Sequence, residues 1–313
     1  MNKDSSVFVA GERGLAGSAI RRALAARGFA NVINAPRAAV DLRDAAAVER
    51  FFAKERPAYV FMAAAKVGGI VANDTYPADF IRDNLLIQTN VIDAAYRHGT
   101  KKLCFLGSSC IYPRLAPQPL AESSLLTGPL EPTNQWYAVA KIAGVKMCQA
   151  YARQYGFNAI SVMPTNLYGP GDNFDLQTSH VLPALLRKLH TAKQAGDAEV
   201  TVWGSGMPRR EFLYVDDLAD ALCFLMERYE SPEIINVGCG EDVTIAELAA
   251  LIRDIVGFRG KIVYDRTKPD GTPRKLLDVA KCTALGWSAR TKLADGIAAT
   301  YAWYLAHNES RAA

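Results

Sequence analysis

The chain has 313 residues, of which 50% are hydrophobic and 22% charged, with a formal net charge of +4. These proportions exclude a disordered or low-complexity protein and leave room for a large core and two lobes. The basic residues are scattered, so the charge asks for no nucleic-acid partner, and no window approaches the roughly 18 apolar residues of a membrane span.

The start, Met1 to Ser6, leads straight into a strand-like run without the pattern of an export signal. Cys104, Cys110, Cys148, Cys223, Cys239 and Cys282 form neither a Cys-x-x-Cys pair nor a Cys/His cluster. That spacing argues against a disulfide framework or a metal site and fits a reducing, cytoplasmic compartment. In chain order, strands are predicted at 6–10, 31–35, 59–63, 103–107 and 159–163, and helices at 15–27, 45–54, 78–97 and 136–155. Strands separated by helices of ten or more residues pair in parallel through helical crossovers, which predicts an α/β, Rossmann-type doubly wound sheet.

After Pro164 a run of turn formers to Asn173 reads as a loop. Helices follow at 181–195, 216–228, 245–256 and 293–305, with strands at 199–203 and 234–237. Residues 1–165, with return segments near 211–240, are expected to form a dinucleotide-binding domain, and 166–313 mainly a smaller C-terminal α/β lobe for substrate. The cleft between the two is the expected ligand site.

Gly11-Glu12-Arg13-Gly14-Leu15-Ala16-Gly17 joins the first strand to the first helix. Glycines there permit a tight turn and close approach of backbone to a pyrophosphate, and the helix start supplies N–H groups and a positive dipole end. The spacing is Gly-x-x-Gly-x-x-Gly. An NAD site places Asp or Glu about 20 residues on, against the ribose 2′-hydroxyl. Here the second strand ends Asn34-Ala35-Pro36-Arg37, with no carboxylate at the tip. Arg37, and Arg13 in the loop, suit a 2′-phosphate, so the predicted cofactor is NADP(H).

Tyr137 and Lys141 lie one helical turn apart on one face. A fixed ammonium beside a phenol favours the phenolate and suits the pair to acid/base work on a carbonyl or alcohol. Ser108 follows the strand at 103–107, at the sheet end where open α/β sheets bind ligands, and is placed to share one carbonyl oxygen with Tyr137. Glycine loop, serine, tyrosine and lysine in this order resemble the extended short-chain dehydrogenase/reductase superfamily. The resemblance implies that Ser108 and Tyr137 polarise the reacting oxygen while Lys141 binds the nicotinamide ribose and lowers the tyrosine pKa. It extends the expected cofactor contacts from Gly11, Arg13, Gly14, Leu15, Gly17 and Arg37 to Asp41, Leu42, Ala64, Lys141, Pro164, Asn166, Leu167 and His180.

The stretches 63–70, 107–113, 164–170 and 268–275 narrow the resemblance to the bifunctional epimerase/reductases of that superfamily, which act on GDP-4-keto-6-deoxy-D-mannose. Protons beside a ketone are acidified because the enolate spreads charge onto oxygen, where hydroxyl donors stabilise it. By resemblance Cys110 is the base and His180 the acid on the opposite face; a thiolate near cations has a lowered pKa. Lys188, Trp203, Arg210 and Asp270, together with Ser108, are the implied contacts of the nucleotide sugar.

Sugar 4,6-dehydratases use an Asp-Glu pair after the serine, and Ser109-Cys110 offers none. Sugar 4-epimerases hold NAD through an acidic residue, which is also missing. Non-catalytic dinucleotide-sensing or RNA-binding members lack the tyrosine and lysine kept here. The resemblance further implies a homodimer built on the helices at 78–97 and 136–155, whose apolar residues lie on more than one face.

Overall fold

The computed structural model describes residues 1–268 and 270–308. Pro269, inside one of the narrowing stretches, lies outside them.

The N-terminal part runs β1 (Val7–Ala10), α1 (Leu15–Ala26), β2 (Val32–Ile33), α2 (Ala45–Glu55), β3 (Tyr59–Met62), α3 (Ile70–Thr75), α4 (Pro77–Arg97), β4 (Lys102–Leu106), α5 (Gln135–Tyr155) and β5 (Ala159–Pro164). Next come β6 (Asn166–Tyr168), α6 (Val181–Ala195), β7 (Glu199–Trp203), β8 (Arg209–Arg210), β9 (Phe212–Tyr214), α7 (Val215–Arg228) and β10 (Ile234–Val237). The chain continues through β11 (Val243–Thr244), α8 (Ile245–Val256), β12 (Lys261–Asp265), β13 (Arg274–Lys275), α9 (Ala280–Ala284) and α10 (Leu293–Asn308).

Six strands form one parallel sheet in the order β10-β5-β4-β3-β1-β2. Alternate residues of each strand face opposite sides, and the core divides accordingly. Val7, Val9, Phe61, Cys104, Leu106, Ile160 and Val162 bury against α1 and α7. Phe8, Ala10, Val60, Met62, Leu103, Phe105 and Ala159 bury against α2, α4 and α5. Covering both faces makes the strands read as near-continuous apolar runs, as expected for a doubly wound sheet. Each such large side chain contributes roughly 1.5–3 kcal/mol on burial. The strand order reverses direction at β1/β3, which opens a crevice at their carboxyl ends.

Lys102 is a cation inside this core, 4% exposed. Its ammonium donates to the carbonyls of Leu225, Met226 and Tyr229, capping the end of α7, so its stem packs while its head satisfies orphan carbonyls.

A third cluster joins α6, α8 and α10 to β7, with Leu186, Leu189, Leu248, Ile252 and Ile297 at its centre. Strands β7 and β12 pair, as do β6 and β9, while β8 lies between β11 and β13. The predicted helix at 181–195 and strands at 199–203 and 234–237 match α6, β7 and β10 residue for residue. The two- and three-residue strands β6, β8, β9, β11 and β13, and the five-residue β12, were not foreseen. Among the described residues no helix is long and apolar enough to cross a membrane.

Candidate active site

The glycine loop adopts the turn that its sequence allows. Gly11 has φ +84°, and a Cβ there would stand 2.8 Å from the backbone of Ala64, so the carboxyl ends of β1 and β3 approach as only glycine permits. Gly17 is tighter still: a Cβ would sit 2.1 Å from the Gly11 carbonyl. Gly14 caps α1 without a side-chain bond, and no acidic residue occupies the first turn, so Leu15 and its neighbours present unclaimed N–H groups at the positive end of a helix. That is a fit for a diphosphate.

Glu12 turns inward and pairs with Arg21 at 2.6 Å, while Arg13 and Arg37 stay exposed. The net charge offered at this edge is therefore positive, which suits a 2′-phosphate. Asp41 is held by Arg43 at 2.6 Å, which lowers its carboxyl to about 2, and the Leu42 carbonyl accepts from Asn90. The turn after β3 is clamped by Asn84, whose amide bonds both main-chain groups of Lys66. Pro164 ends β5 against Val237 of β10, and the Asn166 amide donates to the Glu211 carbonyl at 2.7 Å; Leu167 follows in β6.

Ser108 follows β4 and caps a single 3-10 turn, its hydroxyl accepting from the Cys110 N–H at 3.3 Å. That turn buries the Cys110 side chain. Helix α5 brings Tyr137 and Lys141 to the same end of the sheet, and Gly144 lets the helix close on β4, since a Cβ there would meet Phe105 at 2.3 Å. Lys141, 3% exposed, donates to the Leu106 carbonyl at 2.7 Å. Its Nζ lies 4.9 Å from the Phe105 ring centroid and 5.8 Å from that of Tyr137.

The electrostatics differ from the expectation that Lys141 draws the phenol down. Burial raises Tyr137, and so does the nearby Cys110; the Ser108 hydroxyl opposes that rise without overcoming it. Burial also lowers Lys141 to about 8. The phenol is thereby held as a proton donor, because desolvation outweighs the neighbouring charge.

Burial likewise raises the Cys110 thiol, opposed first by the Lys275 ammonium, then by Ser108 and Lys141. His180 stands at the start of α6, accessible to solvent yet crowded by enough protein to drive its imidazole below the usual histidine range; Lys275 acts in the same direction. Lys275 was not among the predicted site residues, although both members of the expected acid/base pair feel its charge. Ser109, Cys110, Glu131, Asn134, Thr272 and Lys275 line a small pocket of about 20 Å³. Glu131 spans it, pairing with Arg114 at 3.2 Å and accepting from the Thr272 hydroxyl at 3.2 Å.

Farther out, Lys188 on α6 lies 5.1 Å from the ring centroid of Trp203, and Lys268 5.6 Å from the same ring, which is 56% exposed. Arg210 donates to the Arg209 carbonyl, and burial lowers its pKa. Asp270 has both oxygens engaged, by the Ser205 N–H at 2.6 Å and the Ser205 hydroxyl at 2.8 Å. It shapes the turn after Trp203 and stays exposed to solvent. Thus Ser108, Cys110, Tyr137 and Lys141 meet at one sheet end. The half-buried Lys188 and the exposed Trp203 form a second group.

A model of the NAD dependent epimerase/dehydratase family matches residues 7–238. The chain is 62% identical over 304 residues to GDP-L-fucose synthase 1 of Arabidopsis thaliana, covering 97% of this chain and 94% of that protein. Among solved structures, a GDP-6-OMe-4-keto-L-xylo-heptose reductase from C. jejuni is similar with a TM-score of 0.94 at 38% identity, covering 98% of this chain and 99% of that one. A GDP-L-fucose synthetase from Naegleria fowleri bound to NADP has a TM-score of 0.91 at 33% identity, covering 99% and 97%. The chain belongs to the NAD dependent epimerase/dehydratase family, within its GDP-L-fucose synthase branch.

Proposed function

We propose that the chain converts GDP-4-keto-6-deoxy-D-mannose to GDP-L-fucose by inverting the two centres beside the ketone and then reducing it with NADPH. The observation that carries this reading is the meeting of Ser108, Tyr137 and Lys141 with the buried Cys110 at the sheet end beside the glycine loop. Similarity to an Arabidopsis GDP-L-fucose synthase at 62% identity and to an NADP-bound relative supports the substrate and the cofactor.

In this reading Gly11, Gly14, Leu15 and Gly17 hold the cofactor diphosphate, Arg13 and Arg37 its 2′-phosphate, and Lys141 the ribose. Asp41, Leu42, Ala64, Pro164, Asn166, Leu167 and His180 complete the groove. The bound cofactor supplies the hydride for the ketone carbon. Ser108 and Tyr137 grip the ketone oxygen, which stabilises an enolate during inversion. Cys110 takes the proton beside the carbonyl and His180 returns one from the other face. Tyr137, kept protonated by burial, then gives its proton to the alkoxide oxygen, the form of the phenol that reduction requires.

Lys188 and Arg210 hold the diphosphate of the sugar nucleotide, Trp203 packs on it, and Asp270 shapes the turn below. The division of labour follows chain order, with 1–165 and the return near 211–240 binding dinucleotide and 166–313 binding sugar. A cytoplasmic homodimer is part of the same reading.

Incubation with GDP-4-keto-6-deoxy-mannose and NADPH, followed by absorbance of the reduced nicotinamide, tests it. Oxidation and a GDP-L-fucose product are expected. Absence of oxidation at high enzyme concentration would refute it.

A further inference from the structure

Glu211 has no part in the reading above, yet it is tied to several segments that frame the site. It stands between β8 and β9 and is 0% exposed. One carboxylate oxygen accepts from the Gly240 N–H at 2.8 Å and the other from the Leu277 N–H at 3.0 Å. Its own N–H donates to the Lys275 carbonyl at 3.3 Å. Its carbonyl accepts from the Thr165 hydroxyl at 3.2 Å and the Asn166 amide at 2.7 Å. Gly238 lies flat against it, for a Cβ there would stand 2.1 Å from Oε1.

No ion pair to this carboxylate exists among the described residues. A carboxylate shut from water without a counter-charge is costly, and an apolar side chain would fill the same space at lower cost. What an apolar side chain cannot do is tie two unrelated sheets together. Gly240 follows β10 of the six-stranded sheet, whereas Leu277 follows β13 of the three-stranded one. The brace therefore crosses from the sheet that carries Cys110 to the strand pair that carries Arg210 and Lys275, whose residues stand in register.

We infer that Glu211 is a positioning residue whose carboxylate, by bracing residues 238–240 against residues 275–277, sets Arg210 and Lys275 at their distance from Cys110 and the Asn166 segment. The inference rests on the reading of Arg210 as a cation that holds the diphosphate of the sugar nucleotide and of Lys275 as the charge beside Cys110. Burial raises the Glu211 carboxyl, and the N–H groups of Leu277 and Gly240, then the Thr165 hydroxyl, oppose the rise.

The test compares wild type, Glu211→Gln and Gly238→Ala. The first variant keeps the shape but sets an amide NH₂ against a main-chain N–H; the second keeps the carboxylate but displaces it. Calorimetry with GDP and with NADPH gives two affinities, and steady-state rates give KM and kcat. Both variants are expected to weaken GDP binding and raise substrate KM about tenfold, the order of one lost hydrogen bond to a charged group. NADPH affinity should stay within about twofold, because the glycine loop is untouched.

Unchanged GDP affinity in both variants overturns the inference, and so does a parallel loss of GDP and NADPH affinity, which marks a general loosening. Should Glu211→Gln fail to fold, Gly238→Ala decides; if neither folds, Glu211 is a fold determinant and the inference fails. A wild type that binds GDP but turns nothing over removes the enzymatic reading alone, and the affinities still judge Glu211. A wild type that binds NADPH but not GDP removes both.

Discussion

Cys110 carries the sharpest consequence of the site because its burial and its chemistry oppose each other. Desolvation holds the thiol up, and the Lys275 ammonium does most to hold it down. Replacing Lys275 by Met should let the thiol rise further, so solvent-deuterium exchange beside the ketone should need a higher pH, with the ascending limb of its rate displaced upward. Lys275→Arg should restore the limb; a profile identical in Met and Arg variants would show that the charge is idle. Cys110→Ser should slow the exchange by about 10²-fold or more, the span of one lost acid/base group, while NADPH affinity is unchanged. Loss of cofactor binding in that variant would make the residue structural. Lys141 gives a second pH signature. Burial lowers it to about 8, so its ammonium is present below that pH and lost above it. The free-enzyme kcat/KM for reduction should therefore fall as pH rises through about 8, and a flat profile there would remove the charge from the mechanism.

Elements decide which of these residues meet. The glycine loop works because α1 begins where β1 ends and Gly17 packs on the Gly11 carbonyl, leaving 2.1 Å for a Cβ. Gly17→Ala should cost about 1–3 kcal/mol in stability, the range for overpacking, and should abolish NADPH binding before it abolishes folding. Retained binding with lower stability would mean that the turn can shift without loss of the diphosphate seat. This loop, the α/β alternation and the Tyr137/Lys141 pair were legible in the sequence because each depends on short-range spacing. Lys275 was not, because its place follows from pairing with Arg210 across 65 positions in two-residue strands that carry no periodicity. Glu211 escaped for the same reason: its partners, Gly240 and Leu277, are brought to it only by tertiary structure. The direction of the Tyr137 shift was misjudged for a related cause. Spacing on a helix reveals the nearby lysine but not the desolvation that outweighs it.

At the scale of the whole molecule, the two long helices α4 and α5 pack on each other, joined by the Gln88 amide donating to the Ala140 carbonyl at 2.7 Å. Their inner faces are spent on the sheet, yet α5 still exposes Trp136 at 43% and Val139 at 42%, one turn apart and beside the face that carries Tyr137 and Lys141. Exposed apolar residues at helical spacing on a helix pair suit a self-complementary contact about a twofold axis, in which each patch meets its own copy. The protein should therefore run in light scattering at twice the mass of one 34.0 kDa chain. Val139→Glu sets like charges close to the axis, so it should shift the mass toward a single chain without unfolding it. Because Tyr137 and Lys141 lie on the same helix, the monomeric variant should also lose activity, in proportion to its loss of dimer across a dilution series. A wild-type mass of one chain at all concentrations, or a Val139→Glu protein that remains a dimer, would move the interface away from α5.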